Sequence, residues 1–86
     1  MMTQEELQKE ILREVLKGAS PPERWVIFWQ FGLHGGFETA LAKAISLADD
    51  ANLERLSAGF PTQVAGFRLW ITGDIAKRLR ERGLDI

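Results

Sequence analysis

The sequence predicts an all-α fold: a compact bundle of about five or six short helices forming one domain over residues 1–86. Three observations carry that expectation. Apolar residues recur at three- and four-residue spacing, paired capping signals stand ahead of the apolar runs, and glycines or prolines end or restart them.

Thr3 and Glu6 have capping-box spacing, in which each side chain satisfies the other residue's free backbone N–H. Leu7, Ile11, Leu12, Val15 and Leu16 follow on one face, and Gly18 is expected to end the helix in the left-handed conformation. Ser20-Pro21-Pro22-Glu23 restarts the chain with a second capping box and a proline suited to the first helical position. The next run, Trp25 to Phe31, is apolar nearly all round, which places it centrally or at an interface. A buried strand competes for this β-branched and aromatic run, and the cap ahead of it favours helix. Gly32, Gly35 and Gly36 then break the chain, since each glycine costs a helix roughly 1 kcal/mol against alanine.

Phe37, Ala40, Leu41, Ala44, Ile45 and Ala48 form a helical stripe, and Ala40, Ala42, Ala44 and Ala48 would let a neighbouring helix approach closely. The helices Trp25–Phe31 and Phe37–Ala48 are expected at the centre of the bundle. Asp49 or Asp50 caps a short helix that turns Leu53 and Leu56 inward and ends at Gly59. Phe60-Pro61 opens another, with Val64, Phe67, Trp70 and Ile71 facing in. Thr72-Gly73-Asp74 marks a turn, and a last helix, Ile75 to Arg82, stops at Gly83 with Leu84 folding back over it.

At 45% hydrophobic and 27% charged, the chain has enough apolar surface to fold and too little net charge, −1, to be disordered. The absence of cysteine removes disulfides, thiolate metal sites and cysteine nucleophiles, and fits a reducing cytoplasm. The acidic, polar opening Met-Met-Thr-Gln-Glu-Glu does not read as a signal peptide. No apolar stretch approaches the roughly 20 residues a membrane span needs, so no membrane association is expected. Residues 1–60 carry six Lys/Arg against nine Asp/Glu and residues 61–86 five against three, a basic bias too small to make a nucleic-acid-binding stripe by itself.

One stretch has a familiar pattern. Phe37, Ala40-Leu41, Ala44-Ile45, Ala48-Asp49, Asn52, Leu56, Phe60-Pro61, Val64 and Trp70 cover about two-fifths of the chain, and their most specific element is Ala-Asp-x-x-Asn with Phe-Pro eight residues after the asparagine. This stretch resembles short, uncharacterised bacterial and phage-associated helical proteins. It departs from them at Thr62-Gln63, where such proteins tend to be acidic. The resemblance implies a phage or prophage setting and carries over no functional residue. Its physics is structural: Asp49 caps a helix, Asn52 can reach back to the cap, and Phe60-Pro61 turns a corner.

No residue pattern points to catalysis, a cofactor or a metal. His34 is the only histidine, with no second ligand for zinc and no nucleophile at a telling spacing, so a loop or helix-end contact explains it better. Asp49 and Asp50 with Glu54 read as helix-start residues, because adjacent carboxylates at a cap do not face each other across a cleft. Gly32 to Gly36 matches neither phosphate-binding fingerprint.

Two binding readings are left. In the first, a non-enzymatic module docks a helix face on another protein or on its own copy, with Trp25, Trp29 and Trp70 and the flanking Arg24 and Arg68 as contacts. A phage or prophage accessory protein acting on a host or phage protein would fit it. The alternative is a nucleic-acid-binding protein using Lys77, Arg78, Arg80 and Arg82 on the last helix, although basic residues also favour helix C-termini without any ligand.

Overall fold

A computed structural model describes all 86 residues, Met1–Ile86. Six helices and no strand make up the chain: α1 (Gln4–Gly18), α2 (Pro21–Gln30), α3 (Gly36–Leu47), α4 (Asp50–Gly59), α5 (Pro61–Ile71) and α6 (Asp74–Glu81). The capping boxes form as their spacing requires. Thr3 Oγ1 accepts the Glu6 N–H at 3.1 Å, and the Ser20 N–H donates to Glu23 at 3.0 Å. Of the two candidate caps for α4 it is Asp49 that acts, accepting the Asn52 N–H at 2.9 Å. The Asn52 side chain does not return to the cap; its oxygen accepts from Arg55 instead.

Two glycines end helices in the left-handed conformation, where an added Cβ would be strained. At Gly32 (φ 66°) the Leu33 N–H donates to Phe28 O and the Gly32 N–H to Trp29 O; at Gly83 (φ 96°) the Leu84 N–H donates to Leu79 O and the Gly83 N–H to Arg80 O. Both are Schellman closures, which satisfy carbonyls the helix leaves free. The second turns Leu84 back into the core as expected, where it is buried. Gly18 behaves differently. It is the last helical residue of α1 and has no positive φ, and Ala19 ends the helix in an extended conformation.

The core is a cluster of Trp25, Val26, Ile27, Leu41, Ala42, Ile45, Val64, Ile75, Leu79 and Leu84. Its backbone is the pairing of α2 with α5, the most extensive helix contact in the molecule. The expected central pair, Trp25–Phe31 with Phe37–Ala48, is therefore half right: α2 is central, but its partner is α5, and α3 packs mainly against α5. Gly66 is the reason α5 takes that place. It is buried, and a Cβ built on it would lie 2.4 Å from the Pro22 carbonyl oxygen, so only glycine lets the two helices approach this closely.

Two further expectations need correction. Ile71 does not face inward; it is 64% exposed at the end of α5. Only part of the α3 stripe is buried: Leu41 and Ile45 enter the core, joined there by Ala42 from outside the stripe, while Phe37, Ala40 and Ala44 stay on the surface and Ala48 is half-buried. Neither α1 nor α4 contains a fully buried residue, and both attach through half-buried side chains, Ile11, Leu12, Val15 and Leu16 in α1 and Leu53 and Leu56 in α4. The result is elongated, about 50 × 26 × 19 Å. No helix is long and apolar enough to cross a membrane.

Candidate functional site

Helix α2 supplies three of the five residues expected to contact a protein partner, Arg24, Trp25 and Trp29, and the structure spends the two tryptophans on packing. Trp25 is 8% exposed. Its indole Nε1–H donates to Glu38 at 2.7 Å, and its backbone carbonyl accepts from His34 Nε2 at 2.7 Å. A carbonyl can only accept, so Nε2 carries the proton in this contact. The His34 ring lies 5.1 Å from the Trp25 ring and 5.5 Å from Phe28, and the glycine-rich turn is thereby folded back on α2. His34 and Glu38 do share a shallow depression with Pro21, Arg24, Phe28 and Thr62. One carboxylate oxygen of Glu38 and one ring nitrogen of His34, however, are spent on Trp25 itself.

Trp29 is half-buried, 6.3 Å from Trp25 on one side and 6.3 Å from Phe67 of α5 on the other, so it joins α2 to α5. Arg24 closes the end of α1, its guanidinium donating to the Leu16 carbonyl at 3.3 Å. Arg68 is exposed and Trp70 half-buried, both on α5. The five residues thus do not form one surface. Trp25 belongs to the core, and Arg24 holds a helix end.

The basic helix is also partly engaged. Arg78 is ion-paired with Glu23, the N3 residue of the second capping box. The Ser20 side chain, then Arg78, then the Ser20 backbone N–H hold the Glu23 carboxyl down at about 2, against desolvation, which pushes it up. Arg80 donates to the Ile86 carbonyl at 3.3 Å. Lys77 on α6 and Arg82 just after it are exposed, while α6 itself packs on α5 and is tied to α2 through Arg78. Beside the Glu23–Arg78 pair lies a cavity of about 260 Å³ with Val15, Ile27, Ile75 and Leu79 on its walls. Nowhere do three side chains of the metal-ligating types converge.

Compared with known proteins, the chain matches no family model, no curated protein and no solved structure.

The exposed apolar surface lies elsewhere than expected. Helix α2 carries no exposed large apolar residue; on the helices these are Leu7 of α1, Phe37 and Leu47 of α3, and Leu69 and Ile71 of α5, and only the pair on α3 is joined by exposed alanines. Phe37 is 67% exposed and Leu47 is 76% exposed, and Ala40 and Ala44 between them are exposed as well. Positions 37, 40, 44 and 47 follow 3-4-3 spacing, which keeps them in one row along the helix. The row is bordered by α4 and the corner after it: Phe37 packs against Phe60, between α4 and α5, with ring centroids 6.2 Å apart, and Leu56 and Arg55 of α4 flank a shallow groove next to Ala44 and Leu47. The signal was present in the sequence. Residues 37 to 48 hold more apolar positions than one helix face accommodates, and the excess must point outward.

Proposed function

We propose that this chain is a small non-enzymatic protein-binding module that docks a helix of another polypeptide chain on the outer face of α3. The observation that carries the reading is the open row Phe37, Ala40, Ala44 and Leu47, bordered by Leu56. Large apolar side chains at its ends offer anchors, and the alanines between them let a second helix lie close. Such a surface suits an accessory protein acting on a host or phage protein, the setting implied by the resemblance of residues 37 to 70. The tryptophans then serve the module by holding α2, α3 and α5 in place, and Trp25, Trp29 and Trp70 are support rather than contact.

The test is capture from a bacterial lysate by tagged protein, run in parallel with an Ala44→Glu variant and with nuclease treatment. Ala44 is exposed, so the charge disturbs the face and spares the core. A stoichiometric protein that survives nuclease and is lost with Ala44→Glu supports the reading. Recovery indifferent to Ala44→Glu overturns it, as does recovery of nucleic acid through Lys77, Arg78, Arg80 and Arg82, whose binding would fall steeply with salt.

A further inference from the structure

The row on α3 is symmetric in size. Read from either end it runs large, small, small, large: Phe37, Ala40, Ala44, Leu47, with intervals of three, four and three residues. A two-fold axis crossing α3 at the level of Ala42 would bring Phe37 opposite Leu47 of an antiparallel copy and Ala40 opposite Ala44. An isologous contact needs this kind of self-complementarity, because one patch must fit itself after a half turn. The interval pattern is that of a coiled-coil seam, in which apolar residues recur every three or four positions. Alanines at the middle of the seam allow the close axial separation at which the outer pairs meet.

We propose that the partner of the α3 face is a second copy of this chain, paired antiparallel through α3; the inference rests on the docking reading of that face. Area supports this occupant. Phe37 at 67% exposure leaves on the order of 130 Å² open. With Leu47, the two alanines and the edge of Leu56 the contiguous apolar face reaches roughly 400 Å², within the range that marks functional patches. Two such faces bury roughly 800 Å² of apolar surface, and their polar rims carry the total to about 1,000 Å², the lower bound for a specific interface. The rest of the molecule also argues for a partner that is always present. Only 12 of 86 residues are buried, and self-association is a common way for a chain with so small a core to gain more.

Sedimentation equilibrium of the full chain and two single variants, Phe37→Asp and Leu47→Lys, with the double variant, tests both the association and its register. Both positions are surface positions, and an acid in the first turn and a base in the last suit the ends of α3, so all variants should fold, as circular dichroism would verify. The expected result is twice the 9.7 kDa chain mass at high concentration, association weakened at least tenfold in each single variant, and recovery in the double variant, where Asp meets Lys across the axis. A wild-type chain that stays at 9.7 kDa to millimolar concentration overturns the proposal, and so does a double variant no tighter than the singles. A monomer that still loses a captured protein on Ala44→Glu would leave the docking reading standing and remove the second copy as its occupant.

Discussion

The Glu23 carboxylate gathers three roles: it closes the capping box of α2, pairs with Arg78 of α6 and lies beside the cavity between them. Its folded-state value of about 2 lies below the ordinary 4.5, so its contribution is fully present above pH 4.5 and is lost as pH falls through about 2. Because the Arg78 side chain is 62% exposed, solvent screens the pair, and Glu23→Gln should cost on the order of 1–2 kcal/mol at neutral pH. Denaturant melts of the two proteins should differ most from pH 5 to 7 and converge near pH 2. Trp25 behaves differently from a surface anchor. Trp25→Ala would open a cavity and orphan the Glu38 contact, with a loss of about 3–5 kcal/mol in the same melts, enough to unfold a chain with so small a core. A binding defect in that variant would report on folding.

At the scale of the helices, α2 and α5 depend on a single missing methyl group. Gly66→Ala should destabilise by about 2–3 kcal/mol, because the Cβ meets backbone rather than a side chain able to move aside. Gly18→Ala is the contrasting case. Gly18 sits in the last turn of α1 with open space around it and no positive φ, so alanine should stabilise by about 0.5–1 kcal/mol. Thermal melts that move in opposite directions would bear out both assignments. These helices also show what was legible in the sequence. Thr3-Glu6, Ser20-Glu23, Asp49 and Gly83-Leu84 reveal boundaries because their chemistry is complete within three to five residues. Which helices pair is a different kind of fact. It depends on loop directions, and nothing near Gly66 in the sequence separates a close approach to Pro22 from an ordinary weak point in a helix. The stripe on α3 was legible as apolar, but which half of it faced inward was not, because Leu41 and Ile45, with Ala42 beside them, compete with Phe37, Ala40 and Ala44 on nearly equal terms.

Across the whole molecule, stability is distributed unevenly. The contacts of α5 with α2, α4, α6 and α3 make it the hub, while α1 lies outside and is tied on by half-buried side chains, by Arg24 and by the C-terminal segment. The Gln8 amide makes the decisive tie: it donates to the Gly83 carbonyl at 2.7 Å and accepts the Asp85 N–H at 3.0 Å, and Ile11 packs on Gly83. Gln8→Ala should therefore lose about 1–2 kcal/mol and speed amide exchange in α1 and at Leu84 before it affects α2 or α5. Uniform acceleration in all six helices would show instead that α1 folds as one unit with the rest.

That amide clamp has a topological consequence. It joins residues 75 and 77 positions apart, so the backbone runs almost as a closed ring whose final gap is bridged only by hydrogen bonds. A peptide linker across that gap would make the ring covalent. The unfolded chain would lose the freedom of its ends, a gain for the folded form of up to about 4 kcal/mol by loop-closure reasoning. New ends could then be opened between Gly35 and Gly36, which are both exposed and follow the His34 contact with Trp25. A circular permutant of that kind should fold with α1 held more firmly than in the linear chain, having exchanged the edge of the chain for its interior.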